Sequence, residues 1–223
     1  FQVMVVDTEK PEFDADILMP GNVTVECDAV PTNCIPRTGG ACTPLTASDV
    51  NDNCPGVLMV AFNEVSTQGT NPALCSFYNY TITRTWTITD CADQALIAAG
   101  LPPTHRLIHI QVVTVRDTKA PTALCKSATI QLDKTGKFVL NPLDVDNGSF
   151  DNCAAFPFLT FSITPNQFTC ANLGANVVTL TVTDPCGNAA TCTATITVTE
   201  GIAPCTPTYN VETACMGMWG MIR

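Results

Sequence analysis

Charge is scarce in this chain. Asp, Glu, Lys and Arg make up 13% of its 223 residues, about half the usual quarter, which excludes a solvated disordered tail and a coiled coil rich in Glu and Lys. Basic residues are scarcest: ten Lys and Arg stand against twenty Asp and Glu, for a formal net charge of -10. A surface that tracks the phosphates of a nucleic acid is therefore excluded, because Lys and Arg must replace the counterions. Although 46% of the residues are hydrophobic, no apolar run reaches the roughly 18 to 20 residues of a membrane-crossing helix, and no membrane insertion is expected.

Groups that do chemistry are also few. His105 and His109 are the only histidines, and no Gly-x-Ser-x-Gly, phosphate loop or His-Glu-x-x-His is present. His109 stands near the start of a strand and is expected to be packed or at an edge; His105 follows Leu101-Pro102-Pro103 in a loop, where exposure explains it. The reading is non-enzymatic, with no catalytic residue. No Cys-x-x-Cys occurs and neither histidine lies near a cysteine, so zinc spacings cannot be built. Two Trp and three Tyr leave few platforms for sugars, and Trp86 is expected to be buried in a strand.

Cysteine, by contrast, is abundant. Thirteen of them, without metal spacing, indicate disulfides in an oxidising compartment and hence a secreted or cell-surface protein. Phe1 opens the sequence with neither a charged n-region nor an apolar h-region, so any secretion leader is expected to lie outside it.

One segment recurs three times. Phe1-Gln2-Val3-Met4-Val5-Val6-Asp7 aligns without a gap on Gln111-Val112-Val113-Thr114-Val115-Arg116-Asp117, and again on Ala194-Thr195-Ile196-Thr197-Val198-Thr199-Glu200. Each copy reads as a domain-closing strand followed by an acidic residue and a proline-ended linker. Two bodies lie between the closers. In the first, Val23-Thr24-Val25 leads to Asp52-Asn53-Cys54, Cys75 and Thr85-Trp86-Thr87-Ile88-Thr89-Asp90-Cys91. In the second, Ala128-Thr129-Ile130 leads to Asp151-Asn152-Cys153, Cys170 and Thr181-Val182-Thr183-Asp184-Pro185-Cys186. Thr alternating with Val, Ile or Leu is the period-two signature of a strand with one wet and one buried face. The only helical candidate is a single turn around Ala92 to Gly100. The expected fold is all-β: tandem immunoglobulin-like antiparallel β-sandwiches at 8–116 and 117–200, stapled by disulfides, preceded by an orphan strand over 1–7 and followed by a tail over 201–223.

The second body, from Ala123-Leu124-Cys125 through Asp151-Asn152-Cys153, Phe168-Thr169-Cys170 and Asn176-Val177-Val178-Thr179-Leu180-Thr181-Val182-Thr183-Asp184 to Ala190-Thr191-Cys192, resembles a hyalin repeat (HYR) module. The first, on Asp52-Asn53-Cys54 and Tyr80-Thr81-Ile82-Thr83-Arg84-Thr85-Trp86, resembles the related immunoglobulin-like repeats of large secreted bacterial surface proteins. It departs by a cysteine-bearing insertion at Cys34 to Cys42 and a long loop at Ala92 to Thr104. The resemblance implies extracellular adhesion or spacing, and brings no catalytic residues.

Comparing the two bodies sorts the cysteines. Cys54/Cys75 and Cys153/Cys170 occupy equivalent places, so each is expected to pair within its own body. Cys125 and Cys192 are gained together; Cys27 is paired with Cys91, and Cys34 with Cys42 across the insertion. Cys186, Cys205 and Cys215 remain as inter-subunit or tail cysteines, since an odd total leaves one thiol unpaired or bonded to another chain. Acidic residues crowd the presumed junctions: Asp7 and Asp117 in the linkers, and Asp49, Asp52, Asp144, Asp146 and Asp151 in the loops. Calcium takes six to eight oxygen ligands from such groups, while Asp is also an ordinary turn former. The functional reading is a subunit or repeat of an extracellular fibre or adhesin. Its partners are copies of itself or neighbouring repeats of the same parent chain, joined through an assembly strand (Phe1, Val3, Val5) and a tail (Met216, Met218, Trp219, Met221). The alternative is a glycan- or ligand-binding module using loops 63–74 and 92–104.

Overall fold

The computed structural model describes residues 7, 9–38, 42–53, 56–201 and 205. The assembly strand Phe1, Val3 and Val5, the tail residues Met216, Met218, Trp219 and Met221, and Cys54 and Cys215 lie outside the described residues. The chain divides into two compact units. One comprises residues up to Lys119 together with Asp151–Phe158 and Asp184–Asn188; the other comprises Ala120–Phe150, Leu159–Thr183 and the residues from Ala189 onward.

The first unit contains β1 (Glu12–Phe13), β2 (Val23–Glu26), β3 (Ile35–Pro36), β4 (Cys42–Thr43), β5 (Val50–Asn51), β6 (Met59–Ser66), β7 (Tyr80–Thr89), α1 (Cys91–Ala98) and β8 (Leu107–Arg116). Its main sheet runs β2-β8-β7-β6, and β1 with β5 and β3 with β4 form two short pairs. Alternation decides what is buried. Along β7, Ile82, Arg84, Trp86 and Ile88 face inward while the intervening threonines face out. Trp86 and Ile88 pack with Ile17, Ile35, Leu45 and Val50 in one cluster, and Ile82, Val113 and Val115 form a second. Each fully buried aliphatic contributes about 1.5–3 kcal/mol relative to exposure. Arg84 breaks the apolar row and is satisfied inside it: it donates to Glu64 Oε2 at 2.8 Å, Pro31 O at 2.8 Å and Thr32 O at 3.0 Å. The expected single turn after β7 is an eight-residue helix. Asp90 caps it, its side chain accepting from Asp93 N at 2.6 Å, so propagation is favoured over a turn.

The second unit contains β9 (Ala128–Gln131), β10 (Lys137–Val139), α2 (Pro142–Val145), β11 (Thr160–Thr164), β12 (Gln167–Thr169), β13 (Gly174–Thr183) and β14 (Ala189–Thr199). The larger sheet runs β11-β13-β14-β9, and β10 and β12 form a separate antiparallel pair. Val178, Leu180 and Val182 of β13, with Ala194, Ile196 and Val198 of β14, are buried in its core alongside Phe168 and Leu140. The all-β, largely antiparallel, disulfide-stapled class read from the sequence is the one observed.

One pairing recurs in both units. The opening strand runs parallel to the closing strand of its own body: Val23 pairs with Val113 and Val25 with Val115, as Ala128 pairs with Ile196 and Ile130 with Val198. The closing strands β8 and β14 therefore lie inside their sheets, with β2 and β9 forming the edges beside them among the described residues.

Candidate functional site

The disulfides correct the sequence comparison in part. Cys125 bonds Cys192 and Cys34 bonds Cys42, as expected. Cys27, however, bonds Cys153 rather than Cys91; Cys75 bonds Cys186 rather than Cys54; and Cys170 bonds Cys205 rather than Cys153. The Cα–Cα distances of these three are 5.8, 4.4 and 5.3 Å, within the span a disulfide bridges. Repeat equivalence shows which cysteines hold like positions, whereas bonding requires proximity. Cys91 is disulfide-bonded as well. Cys186 and Cys205, expected to serve another chain or the tail, are spent within this one.

Five of the expected aspartates separate by their partners. Asp49 is occupied: it accepts from Arg37 at 2.5 Å and from Thr46 N and Oγ1 at 2.7 Å each. Asp146 is occupied by a turn, accepting from Gly148 N and Ser149 N, and Asp144 stands in α2 outside any acidic cluster among the described residues. Asp117 and Asp151, instead, come together with Asp184, each offering an oxygen within 4.8 Å of the others; all three belong to the first unit. Asp7 and Asp52 come together with Asp90 under the same limit. Asp90 and Asp184 were not singled out from the sequence. The signal was present in the repeat, since both follow a threonine at the end of equivalent strands.

Local structure explains these positions. Asp117 opens the linker immediately after β8, its N–H held by Asn79 Oδ1 at 2.6 Å. Asp184 and Asn188 close the turn between β13 and β14: Asp184 Oδ1 accepts from Cys186 N at 2.8 Å and Asn188 N at 2.9 Å, and Gly187 supplies the left-handed φ of 88°. Asp151 Oδ2 accepts from Cys153 N and Ala154 N, both at 2.8 Å. Asp117 itself is 3% exposed, and neither of its carboxylate oxygens has a hydrogen-bond partner. Burial, and then the charges of Asp184, Asp151 and Glu26, push its carboxyl up to about 7. At the 4.8 Å limit of this set, two like charges repel by about 3.5 kcal/mol at an effective dielectric constant near 20. Glu26 and Asp117 also lie near the Cys153 sulfur, which is consumed by its disulfide and offers no thiolate.

The histidines hold structure. His109 Nε2 lies 2.8 Å from Pro20 O, and its ring packs against Trp86 and Phe13 with centroids at 5.8 and 6.4 Å. His105 Nδ1 lies 3.1 Å from Thr104 Oγ1. Trp86 is 2% exposed and Tyr78 4%, so neither ring is open to a sugar.

No family model matches the chain, and no curated protein does. Among solved structures, human mucin-like protocadherin EC1-2 is similar at 12% identity and a TM-score of 0.34, over 87% of this chain and 100% of that one. The protocadherin γB4 extracellular domain follows at 14% identity and a TM-score of 0.31, over 87% and 33%, and the human desmocollin-1 ectodomain at 10% and 0.25, over 86% and 41%. TM-scores this low carry no argument about function, which rests on the chain's own residues. Its disulfides place it in an oxidising, extracellular setting.

Proposed function

We propose that the chain is a structural module of an extracellular fibre or cell-surface adhesin, of the hyalin-repeat type that residues 123–195 resemble. It assembles head to tail by strand addition, with calcium bound at the aspartate clusters. The observation that carries the assembly is an open sheet edge. Among the described residues, strand β6 borders β7 alone and is exposed at every position but Val60, with Met59 57%, Phe62 41% and Val65 55% exposed. An eight-residue edge with apolar side chains is a template for another strand. Phe1 to Val6, equivalent in sequence to the closing strands of both bodies, is the donor. It belongs to a neighbouring copy or to an adjoining repeat of the same parent chain.

Light scattering with size-exclusion chromatography tests this on the purified chain. Concentration-dependent polymers are expected, lost on deleting residues 1–6 and weakened by Val65→Lys. A chain that stays monomeric at high concentration, or polymers indifferent to both changes, would overturn it.

A further inference from the structure

Each aspartate cluster contains a buried carboxylate with at least one oxygen that has no hydrogen-bond partner. Asp117 has two unpartnered oxygens at 3% exposure, and Asp90 keeps Oδ2 unpartnered at 0%. Each is a member of its three-carboxylate set, with an oxygen within 4.8 Å of its companions. Asp151 Oδ1 and Asp7 Oδ2 are buried and unpartnered too. Among the described residues, no Lys or Arg forms an ion pair with Asp90, Asp117, Asp151 or Asp184. Desolvating a carboxylate without compensation is costly, and a like charge beside it adds to the cost.

The two sets are also the same set. Asp7 and Asp117 are equivalent in the recurrent linker, Asp52 and Asp151 in the two Asp-Asn-Cys segments, and Asp90 and Asp184 after the equivalent strand ends Thr89 and Thr183. Turn chemistry accounts for an aspartate at one loop. It does not account for the same three positions converging twice on an unpartnered buried oxygen. A donor set made only of oxygens, without histidine or thiolate, suits a hard divalent cation of the calcium class.

The loop ligands are moreover fixed by covalent bonds. Asp90 adjoins Cys91, Asp151 stands two residues before Cys153, and Asp184 two before Cys186, and all three cysteines are disulfide-bonded. Positions held in advance lower the ordering cost of binding.

We propose that the chain carries two repeat-equivalent calcium sites, Asp7/Asp52/Asp90 and Asp117/Asp151/Asp184, whose ligand loops are held by disulfides so that cation affinity depends on the oxidation state of the chain. This rests on the cation part of the function proposed above, and adds the ligand sets, the stoichiometry and the redox dependence.

Isothermal titration of the full oxidised chain with calcium chloride, after chelator treatment, tests it. Two ions per chain are expected, one in Asp117→Asn, one in Asp90→Asn and none in the double variant. Asn is isosteric and remains a competent helix cap at position 90. Melting temperature in chelator separates loss of a ligand from loss of the fold: Asp117→Asn is expected to melt no lower than wild type without calcium, while the upward shift caused by calcium shrinks. A phosphine reductant is expected to weaken binding at least tenfold. An absence of saturable binding up to about 10 mM, above the usual affinities of extracellular calcium modules, would overturn the sites. So would two ions retained by both single variants, which would mean adventitious surface ions only. Unchanged affinity after reduction would overturn the redox dependence. Binding without polymers in the scattering assay sinks the fibre reading alone, and polymers without binding sink the sites alone.

Discussion

Replacing Cys186 by Ser separates the observed connectivity from the one expected by repeat equivalence. The Cys75–Cys186 bond spans 111 residues, but Cys125–Cys192 shortens the ring it closes. The shortest covalent path runs through residues 75–125 and 186–192, about 56 residues, for which loop-closure entropy corresponds to about 4 kcal/mol at 25 °C. Both cysteines are only half-buried, so a serine hydroxyl at either position adds little desolvation cost. The assay is guanidinium unfolding followed by Trp86, which is 2% exposed, in a Trp219→Phe background that removes the other indole. Cys186→Ser and Cys75→Ser are expected to lose similar stability, about 2 to 4 kcal/mol. If Cys75 were bonded to Cys54, Cys186→Ser would leave the midpoint unmoved. A loss below about 1 kcal/mol, with a Cys54–Cys75 peptide in a non-reducing map, would refute the reasoning.

Arg84→Met should cost about 3 kcal/mol in urea unfolding, because it strands the Pro31 and Thr32 carbonyls that Arg84 serves inside the first unit. Glu64→Gln, at a half-exposed partner, should cost less than about 1 kcal/mol, and equal losses would contradict this assignment. The hydrogen bond from Arg37, with those from Thr46 against the opposing effect of burial, holds the Asp49 carboxyl well below the usual carboxylate range. Its stabilisation is therefore complete above the unfolded value of about 3.9 and lost as pH falls through the lower folded value. Wild type should accordingly exceed Asp49→Asn by a urea midpoint gap that is constant from pH 5 to 7 and narrows towards pH 2; a gap independent of pH would refute it. In the second unit, Leu180→Ala should lose about 2–5 kcal/mol by leaving a cavity at a site with 0% exposure. Val177→Ala, at a site 67% exposed, should stay within about 0.5 kcal/mol by the same denaturation, and the reverse order would show a strand register shifted by one.

Much of this architecture is written in local pattern. The alternation of Thr with Val, Ile and Leu along Tyr80–Thr89 and Gly174–Thr183 specifies strands and their buried faces, because side chains on a strand repeat every two residues whatever the strand pairs with. The same alternation put Trp86 inside. It also put Arg84 there, but which carbonyls receive its guanidinium depends on a segment 52 to 53 residues away, which periodicity does not address. Cysteine number indicated an oxidising compartment, and the coupled appearance of Cys125 and Cys192 indicated their bond. The partners of Cys27 and Cys75 lie 126 and 111 residues away, and only the path of the folded chain brings such distant sulfurs within bonding range. The aspartates divide the same way. Their positions in the repeat are legible, yet the difference between Asp49, neutralised by Arg37, and Asp117, buried without a partner, is one of tertiary surroundings. A carboxylate's charge is set by its residue type, and what compensates that charge by the neighbours folding gives it.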